Sequence, residues 1–195
     1  MPSPELIDLL FIAAAYLLGS FSSAIALSRI MGFADPRSEG SRNPGATNVM
    51  RIAGKKAAAL TLLGDMLKGL LPVLLATQAL THPWWAALTG FAAFLGHCYP
   101  IYYRFEGGKG VATAIGFIVA FDWITGLAVI ATWLIVAKLF KLSSLAALLA
   151  FALMPVIFYL LGGTLGITLL MATMSLIMIW RHRSNIQRLL SGTED

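Results

Sequence analysis

"VATAIGFIVAFDWITGLAVIATWLIVA", residues 111–137, is an apolar stretch of 27 residues with a single charge, Asp122. The number of times it crosses a membrane decides the fold, because that number sets the side on which every later loop lies. The stretch can form one long tilted helix, or two short helices that turn at "FDWITG". Lysines and arginines favour the cytoplasmic side of a membrane, so the flanking charges distinguish the two arrangements.

The rest of the chain is also typical of a helical membrane protein. Of its 195 residues, 58% are hydrophobic and 12% are charged, whereas soluble domains carry about 25% charged residues. A spanning helix needs about 20 residues, and the other apolar runs are residues 6–28, 57–80, 83–103 and 142–180. The start, "MPSPELIDLL", lacks a basic region and a cleavage site, which predicts a retained helix rather than a signal peptide.

The last apolar run has 39 residues and no charge, which is room for two helices. "LGGTLG", residues 161–166, is the predicted turn between them, and "THPWW", residues 81–85, is a second predicted turn. Pro155 is expected to kink the first helix of the pair or to free a backbone carbonyl. Cys98 is the only cysteine, so an internal disulfide is excluded and the residue is interpreted as helix filler.

Charge placement favours two crossings for residues 111–137. With two crossings, one face carries all the loop cations: Arg29, Arg37, Arg42, Arg51, Lys55, Lys56, Arg104, Lys109, Lys138, Lys141, Arg181, Arg183 and Arg188. The opposite face then holds Glu5, Asp8, His82 and Asp122 but no lysine or arginine. We therefore predict an all-α integral membrane protein of one domain, residues 1–195, with seven transmembrane helices. Two of them are short, about 12–15 residues; the N-terminus is periplasmic and the C-terminus cytoplasmic.

Three polar segments then share the cytoplasmic face. The first, "GSRNPGATNVMR" (residues 40–51), is predicted to be an anion-binding loop. Asn43 is held extended by Pro44, and glycines let backbone N–H groups approach a ligand. Arginine forks suit phosphate. The candidate residues are Gly40, Ser41, Arg42, Asn43, Gly45, Thr47, Asn48 and Arg51. The alternative is a solvated loop that only enforces topology.

The second segment is "FEGGKGVATAIG", residues 105–116. Glycines, a lysine and a helix N-terminus together predict an anion cradle. A nucleotide-binding P-loop is excluded, because its pattern needs Gly-x4-Gly-Lys-Ser/Thr. The candidates are Gly107, Gly108, Lys109, Gly110 and Thr113, with Glu106 as support and His97, below the loop, as structural or functional. A flexible turn with an anchoring lysine is the alternative.

The third segment is "WRHRSNIQRLLSGTE", residues 180–194. In a helix, His182 and Asn185 would share a face, and the arginines would bind lipid headgroups or a phosphate. A plain basic tail is the alternative. Ser143 and Ser144 begin a helix, either as an N-cap or as hydroxyls added to the site.

Asp65 and Lys68 lie inside an apolar run at i, i+3, so we expect them to pair with each other; a catalytic role for Asp65 is a second interpretation. No metal is expected, because the chain has one cysteine, three scattered histidines and no aspartate-rich cluster. No His-x4-Asp acyltransferase pair is present. The residues alone predict two bound phosphate-type anions that are either transported or react with each other.

The three polar segments, with "DMLKG" at residues 65–69, resemble those of the bacterial acyl-phosphate:glycerol-3-phosphate acyltransferase (PlsY) family. The resemblance covers nearly the whole chain. "IAGKKAAA", after Arg51, departs from the Gly-Gly-Lys-Gly that relatives often show there. The resemblance implies an inner-membrane enzyme without a cofactor, facing the cytoplasm, that moves a fatty acyl group from acyl phosphate to the 1-hydroxyl of glycerol 3-phosphate.

The resemblance also implies residue roles. Ser41 and Arg51 are essential, Lys109 and its glycines bind acyl phosphate, His182 and Asn185 are active, and Glu194 is structural. The general base stays open between the departing phosphate and His182, as does the phosphate that each loop holds. Membrane lipid is expected around the protein, nucleic acid is not, and the oligomeric state is open, with a monomer allowed. Competing classes are a phosphate-ester transporter or channel and a membrane scaffold with a basic face.

Overall fold

The computed structural model describes residues 4–80 and 82–194, and the regular elements in this part of the chain are helical. The predicted all-α class is therefore confirmed for the described residues. Thr81, which belongs to the predicted "THPWW" turn, lies outside the described residues, as do residues 1–3 and Asp195. The helices are α1 (Pro4–Ser20), α2 (Ser23–Met31), α3 (Ala46–Ala79), α4 (Pro83–Cys98), α5 (Val111–Phe121), α6 (Trp123–Phe140), α7 (Ser143–Leu160), α8 (Leu165–Arg181) and α9 (Arg183–Leu190), with a 3₁₀ turn at Ile101–Tyr103.

Within the described residues, three helices (α3, α6 and α7) are long and apolar enough to cross a membrane. The count rises to five if the bent pairs α1–α2 and α8–α9 each form one span. The chain forms two compact units, Met1–Phe117 and Ile118–Asp195. The number of seven crossings stays a prediction.

The first apolar run is not one continuous helix. α1 and α2 meet at an angle of 41°, and the break falls at Phe21 and Ser22. The Ser22 hydroxyl caps α2 by accepting a hydrogen bond from the Ile25 N–H at 3.4 Å. A serine at this position satisfies a backbone donor that the new helix leaves exposed, which stabilises the break inside an apolar run.

The first polar segment is a loop only in its first half. α3 begins at Ala46, with Gly45 as its N-cap, so Asn48 and Arg51 lie on a helix. The helix is interrupted at Gly54, where the backbone is non-helical. The prediction of a loop across residues 40–51 is therefore wrong for residues 46–51.

Residues 111–137 form two helices, as predicted, and the break lies at Asp122. The Asp122 carboxylate caps α6 by accepting a hydrogen bond from the Thr125 N–H at 2.8 Å. α5 has 11 residues, close to the expected length. α6 has 18 residues and is longer than predicted, because it continues past the apolar stretch through Lys138 to Phe140.

The final apolar run also divides as predicted, with the turn between Leu160 and Leu165. Pro155 lies inside α7 and has no N–H to offer the carbonyl of Phe151, four residues earlier. That carbonyl accepts a hydrogen bond from the Ser175 hydroxyl of α8 at 2.6 Å. The predicted free carbonyl is thus satisfied by the neighbouring helix.

Candidate active site

The first polar segment is fastened by Asn48, which is 1% exposed. Its amide nitrogen donates to the carbonyls of Pro36 and Glu39, at 2.9 and 3.0 Å. Its amide oxygen accepts from the Ser41 N–H at 2.9 Å. These three bonds show that Asn48 holds the loop in place; its predicted role in substrate binding stays a prediction.

The other candidates of this segment face outward to different degrees. The side chains of Ser41 and Arg51 are exposed, while Asn43 and Gly45 are half-buried. Ser41 owes its backbone position to Asn48, and Arg51 projects from the early part of α3. A hydroxyl, an amide and a guanidinium at the start of a helix can donate several hydrogen bonds to an anion.

An ion pair that we did not predict shapes the same loop. Arg37 donates from Nε and Nη2 to the Asp35 carboxylate, the shortest bond being 2.7 Å. The hydrogen bond from Arg37 holds the pKa of Asp35 below its usual value. The Arg37 guanidinium also lies over the Tyr103 ring, 5.5 Å from its centre. This contact joins the chain just before the first polar segment to the turn that precedes residues 107–110, called the glycine loop.

The glycine loop packs directly on the end of α4. The Gly108 N–H donates to the carbonyl of His97 at 3.1 Å, and a Cβ on Gly108 would collide with the His97 ring. Gly110 has φ of +85°, and a Cβ there would meet the Phe94 ring and come within 3.0 Å of the Cys98 sulfur. Glycine is therefore required here for close packing as well as for any approach of a ligand.

Lys109 is half-buried between these glycines, immediately before α5. Gly107 is buried as well. Thr113 is fully buried on the first turn of α5. The predicted placement of a lysine and glycines at a helix N-terminus is therefore confirmed. An anion bound there would meet the positive end of the helix dipole.

Asp65 and Lys68 form the ion pair that their spacing predicts. Lys68 Nζ lies 3.0 Å from Asp65 Oδ1, and both side chains are buried. Lys68 also donates to the carbonyl of Phe21, at the break between α1 and α2, at 2.7 Å. His97 is buried, with Nδ1 3.7 Å from Asp65 Oδ1. This contact fits the structural interpretation of His97, and its role in substrate binding stays a prediction.

A small pocket lies beside this group. Its volume is about 10 Å³, which is room for about one water molecule. Its lining is Gly19, Ser20, Phe21, Ser22, Ile25, Pro44, Lys68, His97, Pro100, Tyr103, Glu106, Gly107 and Gly108. The pocket therefore lies between the α1–α2 break, the first polar segment and the glycine loop. The break is the part of this lining that the sequence did not predict.

The C-terminal unit holds a second polar cluster around Glu194. Its carboxylate accepts from Asn185 Nδ2 at 2.6 Å and from Arg188 Nε at 2.7 Å. Burial raises the pKa of Glu194, but interactions with Ser144, Asn185 and Arg188 outweigh it and leave the pKa below its ordinary value. Ser143 and Ser144 are the first residues of α7, whose N-cap is Leu142. Of the two interpretations of these serines, the N-cap is therefore wrong, and hydroxyls that add to the site stay a prediction.

His182 lies at the junction of α8 and α9, where the chain bends by 61°. It and Asn185 are both buried, although they do not belong to one continuous helix. His182 Nδ1 lies 2.8 Å from the carbonyl of Met178. Among the described residues, His, Cys, Asp and Glu form no group of three or more that could hold a metal ion.

The comparisons with known proteins agree with one another. The family model of Glycerol-3-phosphate acyltransferase matches residues 9–192. A Glycerol-3-phosphate acyltransferase from Hydrogenovibrio crunogenus is 57% identical over 190 residues, covering 97% of this chain and 91% of the relative. One from Methylococcus capsulatus is 52% identical over 189 residues, covering 96% and 95%.

The crystal structure of PlsY (YgiH), an integral membrane glycerol 3-phosphate acyltransferase, in its glycerol 3-phosphate form has a TM-score of 0.92 and 36% identity, covering 96% of this chain and 94% of that chain. Its lysophosphatidic acid form has a TM-score of 0.90. The fold is thus that of a helical integral membrane protein. The chain belongs to the glycerol-3-phosphate acyltransferase family.

Proposed function

We propose that this protein transfers a fatty acyl group from acyl phosphate to the 1-hydroxyl of glycerol 3-phosphate, releasing lysophosphatidate and phosphate. The observation that carries the proposal is the 0.92 TM-score, over 96% of the chain, to an acyltransferase crystallised in its glycerol 3-phosphate form. Family membership alone supports acyl transfer. The acyl-phosphate donor and the 1-position are the finer parts of the proposal, and they rest on the resemblance of the three polar segments.

The reaction needs no covalent enzyme intermediate, because acyl phosphate is already activated. The glycerol oxygen forms a bond to the acyl carbon, the bond from that carbon to the phosphate oxygen breaks, and the hydroxyl proton passes to the departing phosphate. Holding the hydroxyl in near-attack geometry can contribute up to about 7–11 kcal/mol. The protein's main task is therefore to hold two anions whose charges repel each other.

We assign the two phosphates to different segments. Ser41, Asn43 and Arg51 would hold the phosphate of glycerol 3-phosphate, because a guanidinium and neutral donors suit a doubly charged ester. Lys109 would hold acyl phosphate and stabilise charge on its carbonyl oxygen. His182 and Asn185 complete the catalytic residues. The remaining substrate-binding residues are Gly45, Gly107, Gly108, Gly110, Thr113, Ser143 and Ser144.

The proposed architecture is one acyltransferase domain that crosses the bacterial inner membrane seven times and presents its site to the cytoplasm. This arrangement follows from the charge pattern and explains the chemistry, since one substrate is soluble and the other carries a fatty chain. No metal or cofactor is assigned a step.

The decisive experiment gives purified protein in lipid vesicles acyl phosphate and glycerol 3-phosphate. We expect equal amounts of phosphate and 1-acylglycerol 3-phosphate, and neither product with acyl-CoA as donor. The absence of both products with acyl phosphate would overturn the proposal. Uptake of glycerol 3-phosphate into the vesicles without acylation would instead support a transporter.

A further inference from the structure

The break between α1 and α2 places the carbonyl of Phe21 outside the regular hydrogen bonding of both helices. The Ile25 N–H, which would bond it in a continuous helix, is directed to the Ser22 hydroxyl instead. Lys68 of α3 supplies the missing donor, with Nζ 2.7 Å from the Phe21 oxygen. An unsatisfied carbonyl in an apolar region costs several kcal/mol, so the lysine stabilises the break itself.

Asp65 holds that lysine in place. The two charges are 3.0 Å apart and less than 6% exposed. A buried ammonium group requires a paired carboxylate and further hydrogen bonds, and Lys68 has both. The pair is thus a fixed unit and not a mobile surface ion pair.

The same carboxylate faces the glycine loop through His97. Asp65 Oδ1 is 3.7 Å from His97 Nδ1, while the other ring nitrogen, Nε2, lies against Gly108. The Gly108 N–H donates to the carbonyl of His97 at 3.1 Å. Side chains from α3 and α4 therefore connect the α1–α2 break to the residue that precedes Lys109.

We propose that Asp65 and Lys68 are positioning residues that hold the glycine loop, and with it Lys109, in the geometry that binds the substrate phosphate. They do so without touching the substrate themselves. The kinetic part of this inference rests on the proposed function; the placement of the loop does not.

Cys98 reports on the loop independently of activity. It is the only cysteine, it is fully buried, and its sulfur lies directly under Gly110. A loop that lifts from α4 would expose this thiol to a water-soluble maleimide. The labelling rate of Cys98 in folded protein in lipid vesicles therefore measures loop opening.

The informative variants are Lys68→Met and the double variant Asp65→Asn/Lys68→Met. The single change leaves an uncompensated buried carboxylate and can prevent folding; the double variant is neutral and keeps the test valid. The variant Lys68→Arg retains the positive charge and the N–H donors. Cys98 should therefore label as slowly in this variant as in the wild type. Lys56→Met is the matched control, because Lys56 is exposed on the same helix.

We expect Cys98 in the double variant to label about tenfold faster, which is about 1.4 kcal/mol less free energy for local opening. If Cys98 in the double variant labelled at the wild-type rate, the inference would be overturned. We also expect the KM for acyl phosphate to rise about tenfold while the KM for glycerol 3-phosphate stays within about twofold. An equal rise in both KM values would contradict a loop-specific role. A wild-type protein without acyl transfer would refute the proposed function and leave the labelling test intact.

Discussion

The imidazole of His182 has a defined hydrogen-bonding pattern. Its Nδ1 lies 2.8 Å from the carbonyl of Met178, and a carbonyl only accepts, so Nδ1 carries the hydrogen. In the neutral ring, Nε2 is then the nitrogen able to take a proton. The geometry therefore allows His182 to act as general base and leaves it in competition with the departing phosphate.

The variant His182→Gln distinguishes the two candidate general bases, which are His182 and the departing phosphate. If phosphate takes the proton, the variant should keep the acidic limb of its pH–rate profile, because the group that must be deprotonated is then on the substrate and not on His182. We expect this result, with a rate loss that reflects positioning alone. The measurement is kcat/KM between about pH 5 and about pH 8, because its pH dependence reports the groups whose protonation state matters before substrate binds. Loss of the limb together with a fall of more than about 100-fold would identify His182 as the base.

Asn48 provides a prediction about loop stability. Asn48→Ala removes three hydrogen bonds that hold residues 36–41. We expect the free energy of unfolding to fall by about 1–3 kcal/mol and the KM for glycerol 3-phosphate to rise. Thermal unfolding in detergent measures the first effect. Asn43→Ala is the control: it should weaken substrate binding with little change in stability, and equal melting temperatures for the two variants would contradict the role assigned to Asn48.

Glu194 makes the free energy of unfolding depend on pH. Its pKa is below the ordinary value of 4.5, so the unfolded chain takes up a proton first as the pH falls. The stabilisation is therefore fully present above pH 4.5 and is lost as the pH drops through the folded pKa. We expect the melting temperature of the wild type to fall more steeply below pH 4.5 than that of Glu194→Gln. Parallel curves for the two proteins would be evidence against this carboxylate.

Helix breaks differ in how well the sequence reveals them. The break at Asp122 was predictable, because the loop cations on either side require two helices and the residue is the only charge in the stretch. The break at Phe21 was not, because it depends on a bond from Lys68, 47 positions away. The role of Asn48 in holding the loop was not predictable for the same reason, because its partners Pro36 and Glu39 are brought to it only by the folded loop.

The contribution of the Asp122 N-cap to the stability of α6 can be tested by substitution. Its carboxylate accepts from the Thr125 N–H, and replacing such a cap with alanine typically costs about 0.5–2 kcal/mol. Asp122→Ala should therefore lower the free energy of unfolding by about 1 kcal/mol. Asp122→Asn is the matched control, since asparagine caps equally well. Chemical unfolding of both variants in mixed micelles gives the comparison, and equal losses would show that the cap contributes nothing specific.

At the scale of the whole molecule, the charge pattern of the sequence predicts the side of the membrane on which each loop lies. The polar clusters are built differently in the two units. In the first unit, backbone carbonyls at Phe21 and His97 accept hydrogen bonds beside the buried Asp65–Lys68 ion pair. In the second unit, the side chains of Asn185 and Arg188 converge on Glu194. Both clusters belong to segments whose charges predict the cytoplasmic side, which makes orientation the property that unites them.

Single-cysteine labelling tests that orientation. In a Cys98→Ala background, exposed positions are replaced one at a time: Ser38→Cys, Trp123→Cys, Thr164→Cys and Ser191→Cys. With seven crossings, an impermeant maleimide added to intact spheroplasts should label positions 123 and 164 and spare 38 and 191. Inverted membranes should give the reverse pattern. If residues 111–137 crossed only once, position 123 would lie in the hydrocarbon and react from neither side, so its labelling alone decides between the two folds that the sequence allows.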